Sequence, residues 1–172
     1  MTTESDSPQE TTSLVTPKQY ALMYATDFGL PVFPLNYPIV GGGCSCGKPD
    51  CDDVAKHPLA RLAPHGLKNA TTDPFIIGAW FDQEPNANIG IVTGALSGIF
   101  AVDVDAKSGG LETWAELQDF NGPVHTMSSR TGGGGNHYWF KTDGQVFKNS
   151  VSKFGPGIDI RGEGGYIVAP PS

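Results

Sequence analysis

The sequence lacks any apolar run of membrane-spanning length, and no signal peptide precedes its first hydrophobic segment. These two absences predict a cytoplasmic protein. Cysteine is also scarce, since the chain has only 3, and all of them fall between positions 44 and 51. An odd number of clustered cysteines argues against a disulfide framework and favours a metal site.

Positive charge is in short supply, with 11 Lys and Arg against 18 Asp and Glu and a net charge of −7. Such a balance counts against a protein that coats duplex DNA, because duplex binding normally rests on a basic surface. The first sixteen residues carry no base, however, and six basic residues lie between positions 107 and 161. Clustered metal-binding carboxylates also make a total acidic, so charge alone decides nothing about function.

Apolar residues are few (38%), whereas glycine (23) and proline (14) are abundant, which favours a loop-rich α+β domain. Residues 1–15 are rich in Thr, Ser and Glu and predict a disordered leader; 16–172 predict one folded domain. Cap residues predict helices starting near 17, 74 and 110. Alternation and glycine turns predict strands 30–34, 89–93, 99–104, 124–129, 137–141, 158–161 and 166–168, with 89–93 and 99–104 forming a hairpin.

The strand at 99–104 carries the most informative pattern. Alternate side chains of a strand share a face, so Asp103 and Asp105 are expected on the same side as Ile99 and Ala101. Two such carboxylates repel each other unless a cation lies between them, and Mg²⁺ and Mn²⁺ prefer oxygen ligands. The pair therefore predicts a divalent metal site. The alternative is a strand end with solvated acids.

Two further segments add polar groups. Asp159 and Arg161 share one face of their strand, either as part of a site or as a structural ion pair. His137 follows the glycine run 132–135, whose amides can approach a phosphate closely, and Arg130 and Gly133 are the other nucleotide-binding candidates of that turn. Three carboxylates beside phosphate-binding groups fit two-metal nucleotidyl transfer, with one ion activating the attacking hydroxyl.

The cysteines lie in a segment, 39–70, that has several glycines and prolines and no periodicity. Cys44, Cys46, Cys51 and His57 have the ligand types and close spacing of a structural zinc site, and His65 is a weaker candidate for the fourth ligand. We therefore interpret 39–70 as a zinc-binding insertion; the alternative is a loop with unpaired thiols. The bases around it suggest contact with template DNA: Lys48, Lys56, Arg61 and Lys68.

The order of these motifs resembles the bifunctional primase-polymerase domain of phage and plasmid replication proteins, in the archaeo-eukaryotic primase superfamily. The resemblance rests on Asp103-Val-Asp105, on the glycine run that ends in Asn-His137, and on the final segment that starts at Gly157-Ile-Asp159. Upstream, Gly29-Leu-Pro-Val-Phe-Pro34 and the segment 86–94 fit the same family, so the likeness spans about 17–172.

This resemblance implies an α+β, primase-like (RRM-like) catalytic core with DNA primase and DNA polymerase activity. Asp103 and Asp105 would hold two Mg²⁺ or Mn²⁺ ions, Asp159 would be the third acid, and His137 would contact the nucleotide's phosphates. The superfamily often has Ser two residues before this His; here the position is Gly135, and the replacement candidates are Ser128, Ser129 and Thr131.

The implied partners are a single-stranded DNA template or primer and nucleoside triphosphates, with no membrane involved. Because the chain stops at Ser172, directly after a predicted strand, we expect an isolated part of a longer protein that continues into a helicase domain. A phage-encoded protein would act in the cytoplasm of its bacterial host.

Two other functions compete with this interpretation. A D-x-D glycosyltransferase also uses Mn²⁺ and a nucleotide, but it would not need the third acid, the histidine turn and the zinc cluster in this order. A non-catalytic, zinc-dependent DNA-binding module is the second, and the carboxylates argue against it because acids repel phosphate unless metal is bound.

Overall fold

The computed structural model describes residues 15–172. The predicted leader, 1–15, therefore lies outside the described residues except for Val15. Within the described range, no helix is long and apolar enough to cross a membrane.

Three α-helices and seven strands form the described part of the chain. The helices are α1 (Pro17–Thr26), α2 (Pro74–Gln83) and α3 (Gly110–Asn121). The strands are β1 (Val32–Leu35), β2 (Asn88–Val92), β3 (Ile99–Val104), β4 (Ser128–Arg130), β5 (Asn136–Lys141), β6 (Ile158–Arg161) and β7 (Tyr166–Ala169). The caps are the predicted ones: Thr16 and Gln19 form a capping box before α1, and Asp73 accepts from the amide of Phe75 before α2.

The first sheet has the order β1-β2-β7, with antiparallel neighbours. Its central strand is apolar on both faces, and Ile89 and Ile91 are fully buried. They share a core with residues of α1 and α2, including Ile77 and Phe81. A salt bridge of 2.7 Å between Lys18 and Asp82 ties the two helices together at the surface.

The second sheet has the order β4-β5-β3-β6, again antiparallel. On its back face, Val102, Val104 and Ile158 pack against Trp114 and Leu117 of α3. Its front face is apolar only at one end, where Ala101 and Trp139 join the core of the first sheet. There the Trp139 ring lies 6.1 Å from that of Tyr24 in α1. The other end of the front face is left for polar side chains.

The predicted hairpin of 89–93 with 99–104 is wrong. The turn between these strands makes a single bridge, Gly94 with Ile99, after which β2 and β3 enter different sheets. Both strands bury side chains on two faces, so each becomes the centre of its own sheet: β2 pairs with β1 and β7, and β3 with β5 and β6. The predicted strand at 124–129 is also shorter than expected, since β4 begins at Ser128.

The predicted insertion divides into two parts. Residues 39–57 contain no helix and no strand of a sheet, whereas residues 58–70 send Leu59 and Ala63 into the buried interior. Of the two parts, the second contributes a buried residue, Leu59, to the main hydrophobic core, and the first contains the cysteine cluster. The architecture as a whole, two antiparallel sheets with three α-helices, agrees with the predicted α+β class.

Candidate active site

A row of polar side chains crosses all four strands of the second sheet. Asp103 of β3 stands directly opposite His137 of β5 and Asp159 of β6. Ser129 of β4 stands opposite His137 and completes the row. Because directly paired residues of antiparallel strands project to the same face, the register brings together side chains far apart in the sequence.

The row is partly buried, and one guanidinium joins its two acids. The side chains of His137, Asp103 and Asp159 are only 10%, 19% and 18% exposed. The Arg161 guanidinium donates to Asp103 at 2.9 Å and to Asp159 at 3.1 Å, and His137 Nε2 lies 3.5 Å from the other oxygen of Asp103. Burial alone would raise the pKa of Asp103, but His137 and then Arg161 outweigh it, so the pKa falls below its ordinary value.

Asp105 occupies a different position from Asp103. It follows β3, is exposed, and caps the 3₁₀ turn Ala106–Ser108 by accepting from the Lys107 amide at 3.0 Å and the Ser108 hydroxyl at 2.7 Å. These two hydrogen bonds lower its pKa; the charge of Asp103 opposes the shift, and the charge of Lys56 adds to it. Ser108 was not among the predicted site residues, although a hydroxyl three residues after an aspartate is the signal for such a cap.

Two glycines fix the backbone of Asp105. Its amide donates to the Gly157 carbonyl at 2.8 Å, and its carbonyl accepts from the Gly110 amide at 2.9 Å. A side chain at Gly110 would meet these carbonyl oxygens at 2.5 and 2.7 Å. Gly110, the first residue of α3, and Gly157, directly before β6, are therefore needed for this close approach, which residue spacing alone did not reveal.

The glycine turn before β5 packs against the end of β3. A Cβ atom at Gly135 would lie 2.0 Å from the Val104 carbonyl oxygen, so this position has no room for a side chain. A serine there would collide with that carbonyl. Of the replacement candidates, Ser129 lies opposite His137, and its hydroxyl accepts from Trp139 Nε1 at 3.3 Å. Gly132 has open space around it and Gly133 would meet only the Thr131 hydroxyl, at 3.9 Å, which leaves room for the approach of a phosphate.

Arg130 is not brought into the row. It pairs with Asn136 at the edge of the sheet, one position out of phase with His137, so the register places it on the opposite face. Its role in nucleotide binding stays a prediction, as does that of Gly133.

The donor set of the row suits a hard divalent cation. Asp103 and Asp159 present ionisable oxygens from adjacent strands, and Asp105 follows two residues after Asp103 at the exposed end of the same strand. Carboxylate oxygens are the preferred ligands of Mg²⁺ and Mn²⁺. The Arg161 guanidinium bridges two of these acids, so it supplies part of the positive charge that the row requires.

The cysteine cluster forms a second, separate group. The ligand atoms of Cys44, Cys46, Cys51 and His57 all lie within 4.8 Å of one another, and His57 Nε2 is 3.4 Å from the sulfurs of Cys44 and Cys51. This Cys3His group could bind zinc, as its spacing predicts. His65 does not belong to it; its amide donates to Asn69 in the 3₁₀ turn Gly66–Asn69.

The surroundings of the cluster favour the thiolate of Cys44 but not that of Cys51, and they hold the imidazole in place. Burial, followed by the side chains of Cys46 and Cys44, raises the pKa of Cys51 to about 11. Burial acts to raise the pKa of Cys44, but the amides of Ala55 and Cys46 outweigh it and lower the pKa to about 6. Asn36 Nδ2 lies 3.1 Å from His57 Nδ1, which orients the ring with Nε2 towards the sulfurs.

An apolar cavity of about 740 Å³ lies on the back face of the second sheet, between α3 and residues 146–154. Its walls include Phe100, Trp114 and Phe147, and no acid lines it. It therefore offers no carboxylate ligand for a metal, and the candidate chemistry belongs to the front face.

Comparison with known protein families identifies the family of this chain. Residues 21–172 match the family described as bifunctional DNA primase/polymerase, N-terminal. The chain belongs to this family, whose membership implies nucleotidyltransferase activity with DNA and nucleotides as substrates. No curated protein sequence matches the chain.

Proposed function

We propose that residues 16–172 form a catalytic domain that transfers nucleotides to a 3′-hydroxyl on a DNA template, with both primase and polymerase activity, in phage or plasmid replication. The observation that supports this best is the row of His137, Asp103 and Asp159 across adjacent strands of one sheet. We also propose that the full-length protein continues into a helicase domain.

Asp103, Asp105 and Asp159 would hold two divalent cations, which supply Lewis-acid activation of the hydroxyl and neutralise charge on the triphosphate. Asp103 is suited to this role because its lowered pKa keeps it ionised at neutral pH. Asp105 is also held ionised, by its hydrogen bonds to the turn that follows.

The remaining groups of the site orient the carboxylates or bind the phosphates of the nucleotide. Arg161 holds the carboxylates of Asp103 and Asp159 in fixed positions on the sheet. His137 would donate to a phosphate oxygen, and the open backbone at Gly133 would approach the same group. His137 is suited to a ligand because its Nδ1 atom is buried and has no hydrogen-bond partner within the described residues.

The cysteine cluster would hold one structural zinc, since its four ligands form a closed set around residues 39–57. Such a site stabilises a segment that has little apolar core of its own. We therefore assign it no step in the transfer reaction.

Nucleotide incorporation in Mn²⁺, on a primed and an unprimed single-stranded template, tests the proposal. A primase-polymerase extends the primer and also makes short products without it. Incubation with a nucleotide sugar and sugar acceptors tests the glycosyltransferase alternative. DNA binding without incorporation on either template, by zinc-loaded folded protein, would overturn the proposal in favour of a binding module.

A further inference from the structure

The cavity on the back face of the second sheet has the size and composition of a ligand pocket. Its volume of about 740 Å³ falls within the range of about 300–1,000 Å³ that is typical of binding clefts. Val146 and Phe154, two of its lining residues, are 70% and 55% exposed, so the apolar surface of the cavity reaches solvent. Exposed apolar surface beside a concave site is typical of a place where another molecule binds.

Backbone hydrogen bonds fix the wall of this cavity that lies opposite α3. The Phe147 carbonyl accepts from the Glu163 amide at 2.7 Å, and Ser150 exchanges two backbone hydrogen bonds with Ile160 of β6, at 3.1 and 2.9 Å. A Cβ atom at Gly162 would lie 2.1 Å from the Phe147 carbonyl oxygen, so the wall packs directly on the end of β6. The cavity is therefore built into the folded domain.

Aromatic rings contribute much of the lining. The Phe147 ring stacks on Phe100, with centroids 3.9 Å apart and an interplanar angle of 18°, and Trp114 and Phe154 also line the cavity. Two lining residues, Trp114 and Ser150, carry a buried polar atom, Nε1 and Oγ, with no hydrogen-bond partner within the described residues. Aromatic rings stack on nucleobases, and unused polar groups suit the edge of a base better than an aliphatic chain.

The charge of the lining is positive. Among the described residues that line the cavity, the only charged ones are Lys148 and Lys153, both exposed, although the whole chain has a net charge of −7. This local positive charge suits an anionic group held beside the apolar interior. A single strand of nucleic acid combines both features, since its phosphates bind lysine and its unpaired bases stack on aromatic rings.

We infer that this cavity binds an unpaired base of single-stranded DNA and that Lys148 and Lys153 hold the adjoining phosphates. DNA is a substrate of the family to which the chain belongs. Because Phe154 is more than half exposed, a neighbouring base can stack outside the cavity, which favours a strand over a free nucleotide. The site goes beyond the proposed function, since it lies on the face of the sheet opposite the carboxylate row.

The test of the lysines measures the affinity of zinc-loaded protein for a labelled oligothymidylate by fluorescence anisotropy, without added Mg²⁺ or Mn²⁺. Lys148→Gln and Lys153→Gln should each make the slope of log affinity against log salt concentration shallower by about 0.7, the contribution of one phosphate contact on a single strand. Together they should weaken binding about tenfold at roughly 0.1 M salt. Lys141→Gln, in an exposed lysine of β5 outside the described lining, is the matched control and should keep the wild-type slope.

A second variant separates base stacking from charge. Phe154→Ala should weaken oligothymidylate binding about fivefold or more, the lower end of the loss for one stacked base, and leave the salt slope unchanged. An abasic strand of equal length should bind wild type and Phe154→Ala equally. Phe120→Ala, in an exposed phenylalanine of α3 outside the described lining, is the control and should keep full affinity. Thermal unfolding checks that every variant is folded.

Two outcomes would overturn the inference. One is a wild-type salt slope in both lysine variants, or an equal change in Lys141→Gln, which would place the strand elsewhere or reflect overall charge. The other is binding of dTMP as tight as that of the oligothymidylate and weakened by the same variants, which would make the cavity a site for a free nucleotide.

Discussion

The carboxylate row and the cysteine cluster are both sets of metal-ligand side chains, but the chain builds them in opposite ways. Asp103, His137 and Asp159 come from three strands separated by long stretches of sequence, and the sheet register aligns them. The cluster draws its four ligands from 14 consecutive positions, 44–57, in a segment without helix or sheet. A rigid sheet positions ligands before metal arrives, whereas a loop of this kind takes its order largely from the metal.

The largest effect is expected from substitution of the acids, which should abolish nucleotide incorporation while the domain stays folded. Asp103→Asn or Asp105→Asn should lower Mn²⁺-dependent incorporation by roughly 10³-fold or more, because metal binding and transition-state stabilisation are lost together. Steady-state incorporation on a primed template measures this, with thermal unfolding as the check on fold. Asp119→Asn, an exposed acid on α3, is the control and should keep full activity. Near-normal incorporation by the folded double variant would contradict the metal assignment.

Substitution in the cysteine cluster should have the opposite effect: the surrounding loop should lose its order while the carboxylate row stays assembled. We expect the parent protein to bind one zinc ion per chain, at about 2.3 Å from sulfur and roughly 2.0–2.1 Å from nitrogen, and Cys46→Ser should release it. Residues 39–57 should then become sensitive to protease, while amide exchange in β3 and β5 stays slow. Elemental analysis and limited proteolysis provide the measurements, and Asp50→Asn in the same loop should retain zinc. Protein purified without chelator that contains no zinc would refute the site.

Alanine substitutions at two glycines of the turn before β5 test how tightly this turn packs against β3. Gly135→Ala should lower the free energy of unfolding by about 1–3 kcal/mol, because its Cβ atom would collide with the Val104 carbonyl and force the strands apart. Gly132→Ala, three residues away with nothing within 4 Å, should change it by less than about 0.5 kcal/mol. Urea unfolding of both variants makes the comparison. Equal stability of the two would mean that the turn is free to move.

A substitution at His137 tests whether this residue binds phosphate or only supports the fold. His137→Ala should weaken nucleotide binding about tenfold and template binding much less, since one charge-assisted hydrogen bond to phosphate is lost. Binding of dATP in Ca²⁺ and of single-stranded DNA gives the two affinities, and thermal unfolding shows whether the fold survives. Equal loss of both affinities, or unfolding of the variant, would favour the structural role.

The smallest effect concerns the balance of charge within the row. The pKa of Asp103 is lower in the folded chain than its ordinary value near 4, so the unfolded chain binds more protons between the two values. The stability that this carboxylate contributes is present above pH ~4 and is lost as the pH falls through the folded pKa. The difference in unfolding free energy between wild type and Asp103→Asn should therefore narrow from pH 7 to pH 3. A difference that stays constant would show that Arg161 and His137 do not favour the ionised form.

Local patterns accounted for much of the fold and for one of the two clusters. Thr16 and Asp73 cap their helices as predicted, because a cap depends on residues only two or three positions apart. Cys44 to His57 converge for the same reason: short spacing leaves the chain few ways to keep them apart. The alternation of Asp159 and Arg161 with Ile158 and Ile160 is likewise a property of one strand.

Long-range pairing had to come from the tertiary structure. Patterns in 89–93 and 99–104 suggested a hairpin, yet only the complete set of strands decides which partners bury both faces of β2 and β3. The same pairing sets Asp103 opposite His137 and Asp159, puts Arg130 on the other face, and leaves Gly135 no room for a side chain. The sequence by itself thus determines the residue types and the period with which they alternate along each element. The register between strands, and which side chains lie close together, depend on how all the strands pack.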